Sequence, residues 1–216
     1  MRFFEQNKST LTATLLVMVL LGTGCASKPS VTEYQCRAGD WQTIGFADGA
    51  AGKASTRLLQ HQEACGGFGI VPGRTAYLAG WQEGLANYCT ADNGFHMGQR
   101  GNSLNQVCTD ELREPYASAF ADGRQLYVAR RDVRQLSAQL EGMDNRLAQI
   151  KQELIGATTA QLVPDLTAEE RLRLLAKVES LAEERAEIKA QIPNTAQALV
   201  EAEDYLAQLD QTLAVR

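Results

Sequence analysis

The sequence predicts a mainly α protein, built as a small disulfide-bonded helical domain followed by a long antiparallel coiled-coil hairpin. Three observations lead there. Of the 18 glycines, 14 lie between Gly39 and Gly123, and 11 of the 14 aromatic residues lie between Tyr34 and Tyr127. From about Arg124 onward the chain turns to Leu, Ala, Glu, Gln and Arg, with apolar residues spaced alternately three and four apart, the seam of a coiled coil. Between Cys36 and Cys108 the first half also holds four cysteines whose spacing suits bridges better than a zinc site, which favours close C-x-x-C pairs.

Met1 to Gly24 reads as a targeting segment. Arg2 and Lys8 make its positive start, and the apolar run Leu11 to Leu21 is shorter than the ~20 residues of a membrane-spanning helix. Leu21-Gly22-Thr23-Gly24-Cys25 resembles a bacterial lipobox, although Gly22 stands where leucine is more usual. That resemblance implies a lipoprotein signal peptide over 1–24. Cys25 would be the acylated first residue, carrying diacylglyceryl and palmitate chains. Each buried methylene holds the membrane with about 0.8 kcal/mol. Ala26 in place of aspartate resembles the enterobacterial signal for the outer membrane of a Gram-negative cell, with the protein on its periplasmic face. The alternative is a plain secretory signal cut near Ala26. Residues 25–33 then form an acylated N-terminus and linker, 34–123 the Gly/aromatic-rich disulfide-bonded helical domain, and 124–216 the helical hairpin.

The chain carries a net charge of −5, one unit more negative once Arg2, Glu5 and Lys8 are removed. An acidic chain with no basic cluster excludes nucleic acid as a partner.

Within the first half, a small residue, an aromatic, two variable residues and a glycine recur. The copies are Gly45-Phe46-Ala47-Asp48-Gly49, Gly80-Trp81-Gln82-Glu83-Gly84, Gly94-Phe95-His96-Met97-Gly98 and Ala119-Phe120-Ala121-Asp122-Gly123. Glycine inside a helix costs roughly 1 kcal/mol relative to alanine. Its repetition therefore points to flat helix faces that let another backbone approach. Asp40 is placed to cap a helix running to about Gly52, and Ser55 to cap a second from Thr56 to Ala64. Folded back as a hairpin, these bring Cys65 beside Cys36, which a single straight helix would keep too far apart to bond. Four cysteines allow three connectivities. The hairpin favours Cys36–Cys65, with Cys89–Cys108 closing the later loop. Tyr77, Trp81, Leu85 and Tyr88 make one apolar stripe on a helix from about Arg74 to Tyr88. Cys89 to Cys108 reads as loop with one helical turn around Phe95 to Gln99.

Asp40-Trp41-x-x-Ile44-Gly45-x-x-Asp48-Gly49, His61-x-x-x-Cys65, Tyr77-x-x-Gly80-x-x-x-Gly84-Leu85-x-x-Tyr88-Cys89 and Asn93-Gly94-x-x-x-Gly98-x-x-Gly101 occur in that order. Together they resemble an uncharacterised family of bacterial lipoproteins, the domain of unknown function number two-seven-nine-nine. The resemblance covers about Tyr34 to Tyr127 and implies no activity.

In the second half, Asp110 or Pro115 starts a long helix whose seam is Leu126, Ala129, Val133, Leu136, Leu140, Met143, Leu147, Ile150 and Leu154. Residues 156–165 form the turn, and Thr167 with Glu170 makes a capping box for the return helix. Its seam runs Leu174, Val178, Leu181, Arg185, Ile188, Ile192, Thr195, Leu199, Ala202, Leu206, Leu209 and Leu213. Pro193 removes one hydrogen bond, but the register is continuous across it, which favours a kink over a break. The outgoing arm spans about 41 residues, ~60 Å by helix rise. A homodimeric coiled coil is the rival to an intramolecular hairpin.

Little in the chain points to chemistry. His61 shares a face with Leu58 and Cys65 and reads as packed. His96 has no partner at metal spacing. Asp48, Glu83 and Asp122 precede repeat glycines and read as solvent-facing flanks. There is no phosphate loop, no G-x-S-x-G and no H-E-x-x-H. The expectation is a non-enzymatic envelope protein with no cofactor and no metal site. Its expected partners are membrane lipid through Cys25, and an envelope protein or the cell wall through the hairpin. The alternative is a periplasmic binding module for a cell-wall fragment or small ligand, its pocket lined by Trp41, Tyr77, Trp81, Tyr88 and Phe95.

Overall fold

The computed structural model describes residues 29–214. The signal peptide, Cys25 with its acyl group and the sorting residue Ala26 lie outside the described residues. The described chain is all helix and connection: α1 (Glu33–Ala38), α2 (Trp41–Ala50), α3 (Arg57–Gly66), α4 (Arg74–Tyr88), α5 (Ala91–Gln99), α6 (Asp110–Ala160) and α7 (Ala168–Ala214). It divides into two compact units, with the boundary inside α4 between Gly84 and Leu85.

In the first unit, α1 starts because Thr32 and Gln35 form a capping box. Thr32 Oγ1 accepts from the Gln35 amide at 3.2 Å, and Gln35 Oε1 accepts from the Thr32 amide at 2.9 Å. Gly39 ends α1 in the left-handed region, at φ 70°. Asp40 then caps α2 by accepting from the Thr43 amide; the Thr43 side chain, then that amide, holds the Asp40 carboxyl below the usual range. The expected cap Ser55 gives way to Thr56, which makes no side-chain cap bond. Cys36 and Cys65 are joined, with Cα atoms 5.6 Å apart, and both are buried. Around them pack Val31, Trp41, Leu58 and Tyr77, with Ile44, Ile70, Leu78 and Trp81 at the margin. Fully burying one such large side chain contributes about 1.5–3 kcal/mol.

The repeat glycines are where α2 and α4 meet. A Cβ added at Gly45 would stand 2.0 Å from the Tyr77 carbonyl oxygen. One at Gly80 would stand 1.9 Å from that of Gln42, and one at Gly84 2.2 Å from that of Phe46. Only glycine allows backbones this close. The pairing runs Gln42 with Gly80 and Phe46 with Gly84, so the two helices cross in parallel. The Trp81 indole donates to the Lys53 carbonyl at 2.7 Å, and Gln42 donates to Glu83 at 3.2 Å.

The second unit repeats the device with α5 and α6. A Cβ at Gly94 would meet the Tyr116 carbonyl oxygen at 2.3 Å, at Gly98 that of Phe120 at 2.1 Å, and at Gly123 that of Phe95 at 2.1 Å. α5 is longer than the single expected turn because Thr90 caps it, accepting from the Asn93 amide at 3.2 Å. Asn93 in turn donates to the Tyr88 carbonyl at 2.7 Å. Cys89 and Cys108 are joined. The Tyr116 hydroxyl donates to that of Tyr88 at 3.3 Å, their ring centroids 5.6 Å apart. Burial, then this hydrogen bond, pushes the Tyr116 hydroxyl well above its usual pKa.

From there α6 and α7 form an antiparallel hairpin closed within one chain. Arg130 pairs with Asp210, Arg146 with Glu184 and Lys177 with Glu153. Thr167 and Glu170 make the capping box that opens α7. α7 runs on as one helix across Pro193, so the return arm has no clean break there, and Thr195 donates back to the Gln191 carbonyl at 3.2 Å. The seam residues alternate three and four along α7 as half-buried positions, with one correction. Arg185 is exposed, and the neighbouring Glu184 turns inward to take both guanidinium arms of Arg146, at 2.6 and 2.7 Å.

Candidate functional site

The densest polar cluster in the first unit centres on Asp48, which stands on α2 one residue before Gly49. Asp48 Oδ2 accepts from the Tyr77 hydroxyl at 2.9 Å and lies 2.7 Å from His61 Nε2. The other imidazole nitrogen, Nδ1, lies 2.8 Å from Ser30 Oγ. Arg57 Nε is buried 3.2 Å from Asp48 Oδ1, close enough for attraction but not aligned for a hydrogen bond. Asp48 therefore departs from the expected solvent-facing flank: its side chain is only 15% exposed and anchors three elements. The sequence hides this because the partners stand 13 and 29 positions away, beyond any local pattern. Glu83 is exposed, as a flank should be.

His61 is 1% exposed. As neutral imidazole it donates from Nε2 to Asp48 and accepts from Ser30. As imidazolium it donates at both nitrogens. Either way no polar atom is orphaned. Burial, then the bond to Asp48, pushes the Tyr77 hydroxyl far above its ordinary pKa.

Ser30, His61 and Asp48 thus bond in series, in the order of a hydrolytic triad. Acyl transfer needs more: a cleft open at the hydroxyl and donors aimed at an oxyanion. A groove of about 220 Å³ in the first unit runs beside Thr56 and Leu58, on either side of Arg57. One of about 450 Å³ in the second unit is lined by Phe95, His96, Ser118 and Asp122, with Leu213 at its edge. Another, of about 570 Å³, opens between α6 and α7 beside Gly142 and Asn194. With Asp48 shared among Tyr77, His61 and Arg57, the series works as a packed polar core that ties the start of the described chain to α3.

Three of the five aromatic residues expected to line a binding pocket are buried instead. Trp41, Tyr77 and Tyr88 are core residues, and Trp81 packs against that core with its indole bonded to backbone. Phe95 lines a groove beside His96. Among the described residues no group of three or more His, Cys, Asp or Glu side chains is placed to hold a metal ion. None of the described helices is long and apolar enough to cross a membrane.

These features define a helical domain built on two glycine crossings and continued by a hairpin. Residues 40–125 match the model of a family described as protein of unknown function (DUF2799). The match starts at the cap of α2 and ends just past Gly123, so it takes in both crossings and leaves out α7 and the rest of α6. No curated protein and no solved structure matches the chain.

Proposed function

We propose that this is a lipid-anchored cell-envelope lipoprotein, held at the periplasmic face of the outer membrane through acylated Cys25. Its role is structural: α6 and α7 contact an envelope protein or the cell wall. One observation carries the reading. α7 is 47 residues long, yet Leu181 is its one buried residue among those described. Leu172, Leu175, Val200 and Tyr205 stand more than half exposed on it. A helix this long gains little stability from propensity alone and normally buries an apolar face. A protein partner would supply the missing contact.

A photo-crosslinking residue at Leu175 or Val200, introduced in the intact cell, tests this. Both positions should give one discrete adduct, and the same residue at exposed Leu59 on α3 should not. Adducts of equal yield at all three sites, or none at any, would reject the hairpin as the contact arm.

A further inference from the structure

We propose that the face of the first unit bearing Tyr34, Phe68 and Val71 rests on the lipid surface, held there by the bond between Ser30 and His61. This rests on the reading of Cys25 as the acylated residue.

The tether is very short. Val31 is buried in the core, Thr32 opens the α1 capping box and Ser30 Oγ is fixed to His61 Nδ1 at 2.8 Å. The linker expected over residues 25–33 is therefore pinned from Ser30 onward. Between Cys25 and Ser30 stand Ala26 to Pro29. Even fully extended, that path reaches about 17 Å, at 3.3–3.6 Å per residue. The end of the unit that carries Ser30 thus stays within about two helix diameters of the acyl chains.

The same end is apolar. His61 lies one helical turn before Cys65 on α3, and the Cys36–Cys65 bridge sets Tyr34 two residues from that point. The Phe68 and Ile70 amides both donate to the Cys65 carbonyl, at 3.0 and 3.2 Å, which folds loop 67–73 back onto the bridge. Ile70 turns into the core. Tyr34, Phe68 and Val71 turn outward, 81%, 42% and 83% exposed. Residues 66–72 carry no charge, and the nearest charges on α1, Glu33 and Arg37, neutralise one another at 2.8 Å. An uncharged loop with a phenylalanine, beside an exposed tyrosine, suits the interface of headgroups and acyl chains, where aromatic side chains concentrate.

The test uses the acylated protein purified from membranes and reconstituted in phosphatidylcholine vesicles, compared with a mature chain that begins at Ala26 and has no acyl group. Flotation comes first, then hydroxyl-radical labelling read by mass spectrometry, with Tyr205 on α7 as the internal reference. Labelling of Tyr34 and Phe68 relative to Tyr205 should fall about threefold or more in the floated protein, as expected for side chains seated at the interface. Replacing both Phe68→Ser and Val71→Ser, at exposed sites outside the core, should return Tyr34 toward the unacylated value. Protein that floats with Tyr34 and Phe68 labelled as in the unacylated chain overturns the proposal and leaves the anchor standing. Protein that does not float removes the anchor, and this inference with it.

Discussion

The two glycine crossings are built alike and finished differently. In the first unit Gln42 and Phe46 lie against Gly80 and Gly84. In the second, Tyr116 and Phe120 lie against Gly94 and Gly98. Both pairs run in parallel, but the chain order is reversed: the Phe-Ala-Asp-Gly helix comes first in one and second in the other. Around the first crossing, α3 covers Asp48, supplies His61 and Arg57 and is bridged through Cys65. Around the second, the corresponding Asp122 lines an open groove and its helix runs on as the outgoing arm of the hairpin. The motif therefore specifies backbone approach and nothing more. What covers the crossing is decided by chain outside the motif.

The largest expected effect breaks both crossings alike. In Gly80→Ala and Gly98→Ala the new Cβ would stand 1.9 and 2.1 Å from a backbone carbonyl oxygen that cannot rotate away. Each should cost about 2–4 kcal/mol in urea unfolding, despite the better helix propensity of alanine. Gly142 on α6 has nothing within 4 Å, and there the same change should stabilise by up to about 1 kcal/mol. A loss at Gly98 no larger than at Gly142 would mean the second crossing is not tightly held.

A smaller effect should separate the crossings. Asp48→Ala strips the Tyr77 hydroxyl and His61 Nε2 of their acceptor inside the first unit. Leaving such buried groups unpaired costs about 1–3 kcal/mol. Asp122→Ala, on the wall of a groove, should cost less than Asp48→Ala. Equal losses in thermal unfolding would show that the two carboxylates are equivalent after all.

Much of this was legible in the residues. Periodicity placed α4 and the seam of the hairpin, because a repeat of three and four is a local property of a helix face. The glycine pattern located both crossings. One helix escaped that reading and another was read as a single turn, although their signals were present: the Thr32-x-x-Gln35 box of α1, and Thr90 ahead of α5. The aromatics expected to line a pocket are largely buried for a physical reason. Beside helix-interior glycines, large rings fill the space around a close crossing, so Trp41 and Tyr77 became core. The network on Asp48 could not be read at all, since it depends on which face of α3 returns to α2. Likewise, an a/d-type position predicts burial by spacing alone, and Arg185 lost its place to Glu184 only because Arg146 stands opposite.

That last exchange yields the smallest prediction, on the part of the molecule that has no glycine crossing. Arg146 donates to Glu184 through two nitrogens and to Glu153 through a third. The hydrogen bond from Arg146 holds the Glu184 carboxyl below its usual pKa. A lowered folded-state value means the unfolded chain binds the proton more readily. The contribution is therefore present above the ordinary glutamate value of about 4.3 and fades as pH falls through the lowered one. The side chains are more than a third exposed, so solvent screens the pair and the effect is modest. Protection from hydrogen exchange along the middle of α7, relative to the unstructured chain at each pH, should fall as acid passes through that window, and Arg146→Gln should flatten the response. Identical acid profiles for the two proteins would assign the inward turn of Glu184 to packing, and the stability of the hairpin to its apolar seam alone.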